Sequence, residues 1–140
     1  MNNHEMIQHL ENGSRLRRLG EWDQAIHELT AAINLFPRNF VGYVERALAF
    51  NGRGNELGDR RYFQAAVNDL DIAIEIGWDE PNTLAEAHYN RGCIRTDDLG
   101  QHDLAIVDFN QARRLDPAHI GIQQGLERAL DRLNAWESDE

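Results

Sequence analysis

The feature that most constrains this chain is an internal repeat of small and apolar residues. Ala25 is followed 41 residues later by Ala66 and, after a further 39 residues, by Ala105. Three other sets of residues keep the same two intervals: Ala32, Ala73 and Ala112; Leu29, Leu70 and Phe109; Trp22, Phe63 and His102. Four columns with the same spacing rarely arise by chance, so the chain is predicted to consist of stacked units rather than one closed core.

The residues around these columns predict two helices in each unit. After Gly20, apolar residues recur at intervals of three and four as far as Leu35, which is the spacing of one buried stripe on a helix. Pro37 and Pro117 end such stretches, because proline cannot donate the backbone hydrogen bond and disfavours helix in the residue before it.

A first helix precedes each second helix and has a repeated spacing of its own. The spacing is that of the pattern W-x2-L-G-x2-Y, and its three copies are His9, Asn12, Gly13 and Leu16; Tyr43, Arg46, Ala47 and Phe50; His88, Arg91, Gly92 and Arg95. Together with the alanine columns, this pattern resembles the tetratricopeptide repeat, a helix-turn-helix unit of about 34 residues. The resemblance implies an all-α fold, a right-handed superhelical stack (α-solenoid), with residues 1–140 as a single domain.

The repeat pattern also places the helices along the chain. Three repeats are predicted at about residues 5–38, 39–78 and 83–117, with a capping helix at about 118–136. The predicted helices are 3–19, 22–36, 39–52, 60–76, 83–97, 102–115 and 118–136. A stack of repeats needs a last helix whose outer side is polar. The last helix meets this requirement, with polar Glu127 and Asp131 opposite an apolar face of Ile120, Leu126, Ala129, Leu130 and Leu133.

Two departures from the ideal repeat length mark insertions. The longer first interval places extra residues near 51–60, and the three glycines there predict a loop or frayed helix ends. This insertion is either a tolerated surface loop, since longer loops cost little, or an extra wall beside a groove. The second insertion lies around residues 78–82, after which Thr83 and Glu86 form a predicted capping box.

Charge and composition indicate which classes of partner are unfavourable and where in the cell the protein is expected. The formal net charge is −10, the chain has 14 arginines and no lysine beside its six histidines, and the acidity increases toward the C-terminus. Nucleic acid is an unfavourable partner for such a chain, because phosphate binding relies on a basic surface. Residues 1–10 do not resemble a signal peptide, and no stretch approaches the roughly 20 apolar residues of a membrane span. We therefore expect a cytoplasmic protein without nucleic-acid or membrane partners.

The sequence offers no catalytic constellation. The histidines are scattered, no second cysteine supports a metal site beside Cys93, and no glycine-rich phosphate loop follows a strand. Cys93 is interpreted as an inert thiol and His102, in a column of packing residues, as a partly buried structural histidine. We expect neither enzymatic activity nor a cofactor or metal.

The resemblance instead indicates binding of a peptide or protein segment. In this family the first helices line a concave groove, and the residues not used for packing within a helix pair contact the ligand. The corresponding residues here are Leu10, Ser14, Arg17, Val41, Val44, Leu48, Asn51, Glu86, Tyr89, Cys93 and Thr96. They form a mixed surface with apolar residues in the middle, which suits a segment with apolar anchors.

One subgroup of the family can be tested directly on the sequence. Its members clamp the C-terminal carboxylates of heat-shock chaperones with lysine, asparagine and arginine on the first helices. The corresponding positions here hold Leu10, Ser14, Glu45, Glu86 and Asn90. Only Asn90 is suitable, and the two glutamates would repel a carboxylate, so no such clamp is predicted.

Two alternative functions remain open at this point. Small acidic chaperones of bacterial secretion systems, which hold apolar segments of secreted proteins, resemble this chain in size, charge and repeat number. Alternatively, the chain is a homo-oligomerisation module, since repeat arrays can pair through their ends and the first helix carries the apolar residues Met6, Ile7 and Leu10.

Overall fold

The computed structural model describes residues 2–138, with side chains for residues 3–135. The described residues form seven α-helices and no strand: α1 (Asn2–Arg18), α2 (Trp22–Leu35), α3 (Phe40–Leu57), α4 (Arg60–Ile76), α5 (Pro81–Asp97), α6 (His102–Leu115) and α7 (Ile120–Ser138). The all-α class and the arrangement as helix pairs are therefore confirmed. None of these helices is both long and apolar enough to span a membrane.

The helices are distributed over two compact units of the chain. The first unit extends to Ile76 and contains α1–α4, and the second begins at Gly77 and contains α5–α7. In the first unit α1 packs on α2 and α3 packs on α4, while α2 and α1 both contact α3. In the second unit α5 packs on α6, and both of these helices contact α7.

Small residues allow the two helices of a pair to approach closely. A Cβ atom placed on Gly13 of α1 would lie 2.5 Å from Cγ of Leu29 on α2, and one on Gly92 of α5 would lie 2.9 Å from the ring of Phe109 on α6. Both distances are shorter than van der Waals contact, so only glycine fits at these two crossings. The small-residue column of the sequence therefore marks the contacts within pairs.

The repeat columns are also the hydrophobic core of each unit. The following members of the columns are completely buried: Ala25, Leu29, Ala66, Leu70, Ala105, Phe109 and Ala112. His102 is partly buried as expected, and its Nδ1 lies 2.6 Å from the hydroxyl oxygen of Thr96. Residues of one column therefore occupy equivalent positions in their helix pairs, which explains the regular spacing in the sequence.

The expected loop at residues 51–60 was wrong. Helix α3 continues through this segment to Leu57 and ends at Gly58, whose φ of 64° is the left-handed conformation that glycine adopts readily. A Cβ atom on Gly52 would lie 2.4 Å from the ring of Trp22, and one on Gly54 would lie 2.7 Å from the ring of Phe63. Glycine occurs at these two positions because aromatic rings cover the helix there, and the insertion lengthens α3.

The predicted capping box at Thr83 was also wrong. Helix α5 begins two residues earlier, at Pro81, and its N-cap residue Glu80 makes no side-chain capping hydrogen bond. Proline suits the first position of a helix because its fixed φ is helical and its missing N–H would be unpaired there anyway. Thr83 therefore lies inside the first turn.

The last helix buries one side against the rest of the second unit. Leu126 and Ala129 are buried, and a Cβ atom on Gly125 would lie 2.5 Å from the ring of Phe109. Glu127 and Asp131 are exposed, so the outer side is polar as a capping helix requires. Ile120 and Leu130, expected on the apolar face, are instead exposed, because α6 and α5 contact a narrower stripe than the sequence indicated.

Candidate functional site

Two surfaces carry the residues expected to contact a ligand, one in each unit. In the first unit, helical spacing places Leu10, Ser14 and Arg17 on the side of α1 that contacts α3. With residues of the facing side of α3 they form what we call the α1–α3 face: Leu10, Ser14, Arg17, Val41, Val44, Glu45, Leu48 and Asn51. In the second unit, the α5–α7 face consists of Glu86, Tyr89, Cys93, Asp97, His119, Arg128 and Arg132.

The middle of the α1–α3 face is apolar and partly open to solvent. Val41 is 39% exposed, and the side chains of Leu10, Val44 and Leu48 are half-buried. Leu10 also packs against the core residues of its unit, so only part of its surface is available. Each of these aliphatic side chains keeps some surface that the unit itself does not cover.

An ion pair crosses the α1–α3 face. Nε of Arg17 donates to Oε2 of Glu45 over 2.7 Å, and about a fifth of each side chain is exposed. The positive charge of Arg17 is therefore balanced by a carboxylate of the neighbouring helix. Sequence reasoning did not connect these two residues, because they are separated by 28 positions and share no repeat column.

Tyr89 and Cys93 lie next to each other on the α5–α7 face, one helical turn apart. The Tyr89 ring packs 4.9 Å from the ring of His119 and 6.2 Å from that of Phe109, measured between centroids. Burial raises the pKa of the Tyr89 hydroxyl group, and the neighbouring Cys93 thiol raises it further. Both side chains remain partly accessible.

The surroundings of Cys93 favour the protonated form of its thiol. Burial raises the pKa of this thiol, and the opposing influences of Tyr89 and Arg128 do not offset it. A protonated thiol is a poor nucleophile and a poor metal ligand. This environment agrees with the interpretation of Cys93 as an inert residue, and the described residues contain no group of three His, Cys, Asp or Glu side chains suited to a metal ion.

Two arginines of α7 converge on one carboxylate of α5. Arg128 donates from Nε and Nη2 to the two oxygens of Asp97 over 3.1 and 3.0 Å, and Nη1 of Arg132 donates to Oδ1 of the same residue. Arg132 also donates over 3.2 Å to the backbone carbonyl of Thr96. Asp97 and Arg132 were not singled out from the sequence, although the spacing of Arg128 and Arg132 by one helical turn was a usable signal.

The remaining expected residues differ in accessibility. Thr96 is only 2% exposed and its hydroxyl group contacts His102, so it faces the α5–α6 interface and does not present its side chain on the α5–α7 face. Glu86 is exposed, with Oε1 3.3 Å from Nε2 of His119. Asn51 and Ser14 of the α1–α3 face are half-buried.

A separate concavity lies in the first unit, outside the expected surface. It has a volume of about 510 Å³ and is lined by the turn from α2 to α3: Phe36, Pro37, Arg38, Asn39 and Phe40. Asn39 caps α3 by accepting a hydrogen bond from the backbone N–H of Val41. The concavity is wide open, and none of its lining residues was expected to bind a ligand.

Comparison with known sequences identifies related repeat proteins. No family model matches the chain. Human "Tetratricopeptide repeat protein 6" is 30% identical over 107 residues, which are 76% of this chain and 18% of that protein. "DnaJ homolog subfamily C member 3" from Bos taurus is 28% identical over 116 residues, which are 83% of this chain and 21% of that protein. The chain thus spans about a fifth of the length of these curated relatives.

Solved structures resemble the fold over nearly the whole chain. The first TPR domain of human RPAP3 has a TM-score of 0.83 at 22% identity and covers 98% of both chains. The Arabidopsis OM64 TPR domain has a TM-score of 0.81 at 27% identity, with 94% of this chain and 98% of that chain covered. The first TPR of Spaghetti (RPAP3), bound to the HSP90 peptide SRMEEVD, has a TM-score of 0.79 at 22% identity and covers 94% of each chain.

Proposed function

This chain has the tetratricopeptide-repeat fold, with three helix pairs and a C-terminal helix, and on that premise we propose that it is a non-catalytic protein-interaction module. Its ligand is a peptide or protein segment that contacts the exposed sides of the first helices. Structures of similar fold that are bound to chaperone peptides support this class of function. The proposed role is that of a cytoplasmic adaptor or chaperone-like holder.

The observation that carries this proposal is the incompletely covered apolar middle of the α1–α3 face. Val41 is 39% exposed, and Val44 and Leu48 of the same helix are only half-buried. Burial of apolar surface stabilises a complex by roughly 25 cal/mol for each Å² removed from water. A segment with aliphatic side chains at successive contact positions would gain this stabilisation, so we propose such a segment as the ligand of the face.

The charges of the same face argue against a chaperone C-terminal tail as the ligand. Glu45 stands where the chaperone-binding subgroup has an asparagine, and its pairing with Arg17 leaves no uncompensated cation at that point. Ser14 and Leu10 offer no further positive charge. We therefore retain the prediction that a peptide ending in Glu-Glu-Val-Asp does not bind tightly, and nanomolar binding of that peptide measured by calorimetry would overturn it.

A comparison of two valine variants tests the proposed function. Val41→Asp places a charge on the α1–α3 face, whereas Val107→Asp makes the same change at a 60% exposed position of α6 in the other unit. Both exposed sites should tolerate aspartate, which circular dichroism would verify. Proteins retained from a lysate of the source organism would then be identified by mass spectrometry for wild type and both variants.

Loss of a partner in Val41→Asp but not in Val107→Asp would support the α1–α3 face as the interaction surface. Retention of the same proteins by all three would contradict it and would direct attention to other surfaces. A partner with an exposed apolar segment that needs shielding would favour the secretion-type chaperone among the alternatives.

The alternative of a homo-oligomerisation module rests on exposed apolar residues at the first helix. Ile7 is 48% exposed on α1, and Leu19, directly after the helix, is 69% exposed. Sedimentation velocity across micromolar concentrations tests this alternative. A dimer that dissociates on Ile7→Glu would establish it, and a monomer at all concentrations would remove it.

A further inference from the structure

The two arginines on the α5–α7 face donate only some of their N–H groups to hydrogen bonds within the protein. A guanidinium group carries five N–H donors in a fixed plane. Among the described residues, Nη1 of Arg128 and Nε and Nη2 of Arg132 have no hydrogen-bond partner. The Arg128 and Arg132 side chains are 39% and 43% exposed, so these donors are open to solvent.

The two guanidinium groups pair with fewer carboxylates than their number. Arg128 and Arg132 share one carboxylate, that of Asp97, and neither forms an ion pair with any other acidic residue for which side-chain positions are described. The exposed Glu127 on the same helix accepts instead from the Gln123 amide over 3.3 Å. Two guanidinium groups therefore share a single carboxylate within hydrogen-bonding distance, and a second carboxylate would pair with the donors that Asp97 leaves open.

The contacts with Asp97 also fix the two guanidinium groups in position. Arg128 is held by both carboxylate oxygens, and Arg132 is held by Asp97 and the carbonyl of Thr96. Side chains that are already ordered lose less rotamer freedom when they bind a ligand. The same contacts hold α7 to α5, so a structural role and a ligand-binding role are compatible at this point.

Apolar surface lies directly beside the charged groups. Nη2 of Arg128 is 3.9 Å from Sγ of Cys93, and Tyr89 lies one helical turn before Cys93 on α5. Both residues are partly accessible. A ligand whose carboxylate reached the arginines would place its neighbouring side chain over Cys93 and Tyr89.

We propose that Arg128 and Arg132 form a subsite for an aspartate or glutamate side chain of a partner segment, with an apolar residue next to it in contact with Tyr89 and Cys93. This inference rests on the proposed interaction function and assigns the chemistry of one part of the partner. Carboxylate–guanidinium hydrogen bonds of this kind are among the stronger polar contacts in proteins.

Three short peptides test the subsite in NMR titrations. Acetyl-Leu-Asp-amide carries only a side-chain carboxylate, acetyl-Leu-Asn with a free C-terminus carries only a terminal one, and acetyl-Leu-Asn-amide carries none. We expect the first peptide to shift the side-chain N–H signals of Arg128 and Arg132 and the backbone amide signals of Cys93 and Asp97. The uncharged peptide should produce at most a small fraction of these shifts at the same concentration.

Matched arginine variants locate the binding. Arg128→Gln and Arg132→Gln should each weaken the side-chain peptide about tenfold or more, as expected for the loss of charge-assisted hydrogen bonds. Arg113→Gln makes the same change at an exposed arginine of α6 in the same unit and should alter affinity less than about twofold, since it only loses a contact with Asn110. Arg128→Lys keeps the charge without the two-point geometry and should give an intermediate loss.

Equal shifts with the charged and uncharged peptides would overturn the subsite, as would equal losses in Arg113→Gln and Arg128→Gln. Binding of the C-terminal carboxylate alone would overturn the assignment to a side chain. Arg128→Lys keeps the test decisive if a glutamine variant unfolds. The proposed function is tested at Val41 of the other unit, so loss of a lysate partner in Val41→Asp together with unresponsive arginine signals would reject only the subsite.

Discussion

Arg46 of α3 and Asp69 of α4 form a two-point ion pair inside the first unit. Nε and Nη2 of Arg46 each donate over 2.8 Å to one oxygen of Asp69, which is only 3% exposed, and Nη1 donates over 3.1 Å to the hydroxyl oxygen of Thr30 on α2. The hydrogen bonds from Arg46 to Asp69 raise the pKa of the guanidinium group despite its burial. This pair links three helices.

A carboxylate occupies the corresponding position in the other two helix pairs. Asp69 and Asp108 each lie three residues after an alanine of the repeat, and Asp108 accepts from Arg91 over 2.7 Å. At the corresponding position of the first pair, Glu28 contacts Nδ1 of His9. A carboxylate of the second helix thus faces a basic side chain of the first helix in each pair, which the apolar columns alone did not indicate.

Asp69→Asn should destabilise the protein by about 3 kcal/mol, because it leaves the partly buried Arg46 without its counter-charge. Urea unfolding followed by circular dichroism at neutral pH measures the change in the free energy of unfolding. Arg61→Ala removes an ion pair whose arginine is 90% exposed, and it should lower the free energy of unfolding far less than Asp69→Asn does, because solvent screens an exposed pair. If both variants lost a similar amount of unfolding free energy, the expected difference between the buried and the exposed ion pair would be contradicted.

Because of Asp108, the free energy of unfolding should decrease at acidic pH. Burial alone would raise its pKa, but hydrogen bonds from His88 and Arg91 and the charges of Arg91 and Arg95 bring the pKa below its usual value. Because the folded-state pKa is the lower one, this stabilisation is present above the unfolded-state value of about 4 and is lost as the pH falls through the folded-state value.

Urea unfolding of wild type and Asp108→Asn between pH 7 and pH 2 checks this expectation. The difference in the free energy of unfolding should be constant from pH 7 to about pH 5 and should narrow as the pH falls below about 4. A difference that stays constant down to pH 2 would show that Asp108 does not contribute through its charge.

Gly13→Ala should destabilise the contact between α1 and α2 by about 1–3 kcal/mol, since its Cβ atom would lie 2.5 Å from Cγ of Leu29. Leu29→Ala alone should cost about 2–5 kcal/mol through the cavity it creates. The double variant should lose clearly less free energy of unfolding than the two single variants lose together. Removal of the Leu29 side chain leaves room for the new methyl group at residue 13. Thermal or urea unfolding of all four proteins gives this coupling, and strict additivity would contradict the steric explanation.

Cys93 should react slowly with iodoacetamide at pH 8. Burial raises the pKa of its thiol, so less thiolate is present than in a free cysteine, and access is restricted as well. The rate measured by mass spectrometry should be well below that of N-acetylcysteine under the same conditions. A rate equal to or above that of N-acetylcysteine would show that the interpretation of Cys93 as an inert thiol is wrong.

Local sequence patterns predicted the helices closely, and the reason is physical. The apolar spacing, Pro37 and Pro117 act within one helix or one turn, so their meaning does not depend on distant residues. The predicted starts and ends of α2, α4 and α6 lie within one residue of the observed bounds. The resemblance to the tetratricopeptide repeat placed the expected ligand-contacting residues on the first helices, and helical spacing indicates which of them share a side.

Distant contacts decided what the local patterns could not. Gly52 and Gly54 look like loop residues in the sequence, but the rings of Trp22 and Phe63 lie over them and the helix continues. Thr96 has the spacing of a surface residue, yet packing against α6 buries it.

The sequence by itself determined the repeat, the helices, the core columns and the absence of the expected chaperone-clamp side chains. Only the tertiary structure decided how the charges are matched. Arg17 is balanced by Glu45 of the next first helix, whereas Arg128 and Arg132 share one carboxylate. Charges interact according to their distance in space, and residues about 30 positions apart come within hydrogen-bonding distance only after the helices have packed.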